Sequence, residues 1–233
     1  MARIQGQSSK VKIKGKGDIV FCIDVTGSMQ NTIDGVKNNL SQFVANLKTG
    51  GQTPLDWRAK AIGYRDTEID ATPFVGLDNS WATTEKEFLA QLAKLEADGG
   101  GDTAETLLDA LYKIFKLEDW DDSRHKMVVV FTDAPTKPQL NSTVIEPGED
   151  PSYNTVAALG TDGHFKLFYY GPVDSIITEL DKAMPKMSIH PCDDLNSLAA
   201  DEFKDIIAGL AKTLSQASSG VVAAQTTGAE TLS

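Results

Sequence analysis

The chain has few of the residues that hold soft metals. Its 233 residues include two cysteines, Cys22 and Cys192, and three histidines, His125, His164 and His190. None stand at the short spacings of a zinc site, so thiolate or imidazole metal chemistry is not expected. Cys22 sits inside an apolar run and reads as a core thiol rather than half of a disulfide. The histidines are scattered and read as surface or satisfied side chains. No apolar run approaches the roughly 18 residues of a membrane span. The first ten residues contain no apolar stretch of signal-peptide length, so a cytoplasmic protein with no membrane partner is expected. Basic charge is also short. Lys+Arg number 22 against 33 Asp+Glu, a net charge of −11. An acidic surface opposes the phosphate-neutralising contacts that nucleic-acid binding relies on, so no nucleic-acid partner is expected.

The one basic exception is an arm over residues 1–17. It carries Arg3, Lys10, Lys12, Lys14 and Lys16, with no acid before Asp18, and reads as a solvated tail or edge strand. Beyond the arm no Pro-rich linker and no repeat divides the chain, so residues 18–216 read as one domain. From Ala217 the chain is rich in Ser, Gly, Ala and Thr without pattern, and residues 217–233 read as a disordered tail.

Hydrophobic patterning orders the elements. Asp18–Ile23 and Lys126–Thr132 are continuous apolar runs, the mark of central strands covered on both faces. Further strands are expected at Trp57–Tyr64, Thr72–Leu77, Lys166–Tyr170 and Met187–His190. The second and third of the six lie close enough for a hairpin. Steps of three and four between apolar residues predict helices over Met29–Leu47, Glu85–Leu95, Leu107–Phe115, Val173–Ala183 and Leu195–Leu214. Trp57, Trp81 and Trp120 read as core or half-buried packing. Strands alternating with helices predict an α/β fold: a three-layer, doubly wound, mostly parallel six-stranded sheet with helices on both faces.

Three acidic loops fall at matching ends of these elements: Asp24-Val25-Thr26-Gly27-Ser28, Gly99-Gly100-Gly101-Asp102-Thr103-Ala104-Glu105 and Thr132-Asp133-Ala134-Pro135. In an open parallel sheet, ligands bind beyond the carboxyl ends of the strands, where the strand order reverses. If the strands before Asp24 and Asp133 are neighbours there, both carboxylates reach one crevice. Carboxylate and hydroxyl oxygens without Cys or His are the ligand set of a hard divalent cation. Taken singly, Asp24, Ser28, Asp102 or Thr103 would serve equally well as helix caps. Tyr64-Arg65-Asp66 follows the second strand and so falls on the same rim. There Arg65 could pair with Asp66, meet a partner's acid, or lie in a solvated turn.

The three loops, in this order and context, resemble the metal-ion-dependent adhesion site of von Willebrand factor type A domains. The first matches the pattern Asp-x-Ser/Thr-x-Ser over residues 24–28, and the Thr-Gly-Ser-Met wording is most like bacterial intracellular members. The resemblance covers about residues 18–214. It implies a Rossmann-like sheet and a bound magnesium ion, with manganese or calcium as substitutes. The implied ligands are Asp24, Thr26, Ser28, Asp133 and, from the second loop, Thr103, Glu105, or both through water. Asp102, Arg65 and Asp66 are implied as rim or outer neighbours. The implied role is a non-catalytic protein–protein interaction module. A partner's Asp or Glu would complete the metal's shell, within a bacterial multi-protein system of the stress, defence or ATPase-chaperone type.

The alternative is a magnesium-dependent phosphohydrolase of haloacid dehalogenase-like type, whose nucleophile loop Asp24-Val25-Thr26-Gly27 superficially resembles. That chemistry needs a second acid two residues after the nucleophile, where Thr26 stands, and further acids after a late strand. No Gly-x-x-x-x-Gly-Lys-Ser/Thr phosphate loop occurs either.

Overall fold

The computed structural model describes residues 15–49, 55–99 and 104–192, together with Gly209. The helix expected over 195–214 and the tail from 217 lie outside these residues, as do residues 1–14. Strand β1 spans Lys16–Asp24, β2 Asp56–Tyr64, β3 Phe74–Val75, β4 His125–Phe131, β5 Lys166–Gly171 and β6 Met187–Pro191. The helices are α1 Gln30–Thr49, α2 Glu85–Leu92, α3 Leu107–Phe115, α4 Tyr153–Asp162 and α5 Ser175–Ala183. A single sheet runs in the order β3-β2-β1-β4-β5-β6. Every pairing is parallel except the β2–β3 hairpin. This is the six-stranded, doubly wound α/β arrangement that the alternation of elements predicts.

Side-chain alternation along the central strands builds two cores. Ile19, Phe21 and Ile23 of β1 join Met127, Val129 and Phe131 of β4 beneath α1 and α2. Val20 and Cys22 join Val128, Val130, Leu167 and Tyr169 beneath α3, α4 and α5. A strand buried on both faces must be apolar at successive positions, which is why β1 and β4 read as unbroken runs. Cys22 is fully buried and unbridged, and burial pushes its thiol far above the ordinary range.

Helix α4 has no counterpart among the elements expected from periodicity. Its buried residues are Val156, Ala157 and Gly160, mostly small, so its apolar stripe is weak. The signal present is Ser152, whose hydroxyl accepts from the Asn154 amide at 3.2 Å as the helix N-cap.

The amino end of the sheet is pinned by charge. Asp18 is wholly buried on β1. It accepts two bonds from Arg58, each 2.7 Å, and one from Arg124 Nε at 2.5 Å. Trp81 covers Arg58 and Lys60 with its ring face and packs edge-on against Trp120. The tryptophans thus serve as packing, at the end of the sheet opposite the acidic loops.

Candidate metal centre

Strands β1 and β4 are adjacent, and the chain leaves them in opposite directions across the sheet. The crevice between their carboxyl ends is therefore the switch point of the fold. Asp24 is the last residue of β1, and Thr132-Asp133 follow β4 directly. The condition for convergence of the first and third loops is met.

Asp24 is fully buried, and its carboxylate accepts three hydrogen bonds, which leaves one acceptor position on Oδ2. Oδ1 accepts from the Thr26 amide at 3.0 Å and the Thr26 hydroxyl at 2.7 Å. Oδ2 accepts from the Thr132 hydroxyl at 2.8 Å. These bonds favour the charged form, but burial outweighs them and the nearby Asp133 carboxylate adds to it. The Asp24 carboxyl is pushed up to about 6. Because the Thr26 hydroxyl spends its proton on Asp24, its lone pairs are left for an electrophile. Ser28 is exposed, in a short 3-10 turn over Gly27–Met29 that leads into α1. Met29 is buried and fixes that turn to the core. The first loop thus offers an inward carboxylate, a half-committed hydroxyl and an open hydroxyl.

Backbone bonds tie the second loop to both others. The Gly27 amide donates to the Gly99 carbonyl at 3.3 Å, and the Asp98 amide to the Val25 carbonyl at 3.0 Å. Gly99 has φ +74, and a Cβ there would lie 2.5 Å from Asp70 Oδ1. Only glycine fits that bend. At the far end of the loop, Glu105 forms a bridge with the strand-like segment after Asp133. Its amide donates to the Pro135 carbonyl and its carbonyl accepts from the Lys137 amide, both at 2.9 Å. Glu105 is buried there. Asp102 and Thr103 lie outside the described residues.

Arg65 and Asp66 do not pair with each other. Consecutive side chains of an extended segment point opposite ways. The Arg65 guanidinium donates to the carbonyls of Val25, at 3.4 Å, and Glu96, at 3.1 Å, stapling the first loop to the second. Asp66 is buried against Lys137 Nζ at 2.6 Å, and Lys137 also holds Glu68 at 2.8 Å. Two roles were not legible in sequence: Thr132 as a donor to Asp24, and Lys137 as the cation that pairs with Asp66. Thr132 carried a signal, since it lies two residues past Val130 and so on the same sheet face as Asp24. Lys137 meets Asp66 across 71 residues of sequence and carried none.

Among the described residues, no group of three or more His, Cys, Asp or Glu lies together as a metal cage. What the rim of β1 and β4 offers instead is two aspartates with hydroxyls beside them. Its chemistry fits a hard cation: every donor is oxygen, and the buried Asp24 carboxylate is raised rather than lowered by its surroundings.

A profile of the von Willebrand factor A domain matches residues 18–163. The chain belongs to that family. Among curated relatives, the VWA domain is similar to the alpha-protein kinase vwkA of Dictyostelium discoideum. The identity is 24% over 169 residues, covering 69% of this chain and 26% of that protein. Among solved structures it resembles the pilus adhesin SpaC of Lactobacillus rhamnosus GG. There the TM-score is 0.58 at 15% identity, covering 89% of this chain and 31% of the adhesin. It also resembles the VWA domain of SpRpn10, with a TM-score of 0.56 at 11% identity, covering 82% of this chain and 93% of that one. The chain thus spans about a quarter of the kinase and a third of the adhesin. At these identities the structural likenesses show the fold alone. VWA domains are generally protein-interaction modules, and they often bind a divalent metal. No helix among the described residues is long and apolar enough to cross a membrane.

Proposed function

We propose that this VWA domain holds a divalent cation between its three rim loops and uses it to capture a carboxylate of a protein partner. Magnesium or manganese suits the donor set best, since calcium usually takes more ligands. The observation that carries the reading is Asp24, buried and bonded to both Thr26 and Thr132 at the switch point of the sheet. Thr26, Ser28 and Asp133 would hold the ion with Asp24, and Thr103 or Glu105 would serve from the second loop. The bound cation would supply an electrophile for the partner's Asp or Glu. The chain's own part is to orient the hydroxyl lone pairs, to fix the Asp24 carboxylate through Thr26 and Thr132, and to present α1 amino end first toward an incoming anion. A component of a bacterial multi-protein assembly of the stress, defence or ATPase-chaperone kind is the setting the first-loop wording favours.

Catalysis is not part of this reading. A carboxylate nucleophile of the haloacid dehalogenase-like kind needs a second acid two residues on, whereas Thr26 stands there with its hydroxyl bonded to Asp24. The kinase name attached to the Dictyostelium relative describes a protein of which this chain covers 26%. The test is capture of binding proteins on immobilised domain in magnesium, in EDTA, and with Asp24→Ala. Partners that release in EDTA and fail to bind the variant support the reading. Partners indifferent to both overturn it. Phosphate release in magnesium that Asp24→Ala abolishes would favour the hydrolase instead.

A further inference from the structure

The parallel register places Asp24 opposite Tyr64 of β2. On the other side β1 pairs with β4 up to Ile23–Phe131, so Thr132 stands next in line beside Asp24. Paired residues of parallel strands project from the same face. Tyr64, Asp24 and Thr132 therefore form a row across three strands, on the α3 side of the sheet. The Thr132–Asp24 half of the row is bonded. The Tyr64 hydroxyl is the exception. Its residue is 0% exposed, yet the hydroxyl has no hydrogen-bond partner among the described residues.

Its surroundings are polar on one side. The charges of Asp24, Cys22 and Tyr169 act on it, and the Thr132 side chain lies near enough to interact with it as a hydrogen-bonding group, short of the geometry of a formed bond. Tyr169 is already committed, donating to the Pro172 carbonyl at 2.6 Å. The Thr132 hydroxyl gives its single proton to Asp24 and accepts one bond, from the Ala134 amide at 3.2 Å. A hydroxyl oxygen has two lone pairs, so one acceptor position on Thr132 remains. Burying a hydroxyl without a partner opposes folding, and phenylalanine would fill the same space without that penalty. A tyrosine here needs a state in which its proton is used.

We propose that Tyr64 is a positioning residue of the cation site, donating to Thr132 Oγ when the cation is bound. The inference rests on the metal reading above. A carboxylate held ionised by a cation draws the Thr132 proton more strongly. That makes Thr132 Oγ a better acceptor in turn, because linked hydrogen bonds polarise one another. The completed line, Tyr64 O–H to Thr132 O–H to Asp24 Oδ2, locks the rotamer of Thr132 and the orientation of the carboxylate. Outer partners of metal-bound carboxylates typically change affinity by about 10- to 100-fold when removed.

The experiment is magnesium titration calorimetry on the full chain, stripped of metal, as wild type and as Tyr64→Phe. The variant is expected to bind magnesium about tenfold more weakly, while its metal-free melting temperature is unchanged or higher. In proton NMR, one slowly exchanging tyrosine hydroxyl signal, missing from Tyr64→Phe, should sharpen and move downfield when magnesium is added. Equal magnesium affinity in the two proteins overturns the positioning role, with the metal reading left standing. Absence of magnesium binding in the wild type overturns the metal reading itself, and this role with it. If Tyr64→Phe fails to fold, the wild-type hydroxyl signal decides, and a signal indifferent to magnesium refutes the proposal.

Discussion

Replacing Asp24 by asparagine should stabilise the metal-free domain at neutral pH and fail to do so in acid. The carboxyl is raised from an unfolded value near 4 to about 6 in the fold, chiefly by burial. A raised acid binds its proton more tightly folded than unfolded, so its contribution is fully present below the unfolded value. That contribution is lost as pH rises through the folded value. A rise of this size corresponds to about 3 kcal/mol lost between pH 4 and pH 7. Asparagine carries no charge and is spared this loss. Its amide nitrogen cannot accept from the Thr132 hydroxyl as Oδ2 does, a cost of about 1 kcal/mol at every pH. The net expectation is a variant about 2 kcal/mol more stable at pH 8 and about 1 kcal/mol less stable at pH 4. For a domain of this size that is a rise in melting temperature of roughly 4–8 °C at pH 8. Urea or thermal unfolding in EDTA at the two pH values measures it. Because Asp109, also raised by burial, titrates in both proteins, the difference between them isolates Asp24. A variant less stable than wild type at pH 8 in EDTA, with a difference that does not change with pH, would refute the reasoning.

Magnesium affinity should fall about tenfold from pH 7 to pH 5, since the cation needs Asp24 ionised; calorimetry in buffers of different ionisation heat would also register the released proton. Ser28→Ala should leave stability within about 0.5 kcal/mol because the side chain is exposed, yet weaken magnesium binding. Equal binding by that variant would remove Ser28 from the ligand set. Asp18→Asn, at the opposite end of the sheet, should cost about 3 kcal/mol by stranding the Arg124 and Arg58 guanidinium groups, with magnesium affinity of the folded protein unchanged in calorimetry.

The central strands were legible because burial on both faces forces continuous apolar runs, as in Ile19–Ile23 and Met127–Phe131. The neighbourhood of β1 and β4 could be stated only as a condition, since strand order is a tertiary property. Helix α4 escaped because alanine and glycine at its buried positions leave little periodic contrast. In the site, residue types at strand ends pointed to Asp24, Thr26, Ser28 and Asp133, and loop chemistry pointed to Glu105. The sequence could not show where each charge finds its partner. Arg65 proved to clamp backbone carbonyls, and Asp66 to pair with a lysine far along the chain. Gly27 of the first loop has no positive φ, and a Cβ there would make ordinary contact at 3.7 Å. Among the described glycines of the three loops, Gly99 is the one with a positive φ.

Whether the three rim loops form one cation site is decided by magnesium titration of the metal-free protein in a calorimeter. The wild type is compared with Asp24→Ala and Asp133→Ala, each first checked for folding in EDTA. One magnesium should bind per wild-type chain, and binding should be lost in both folded variants. A wild type that binds no magnesium, or folded variants that bind it as the wild type does, would contradict the single-site reading.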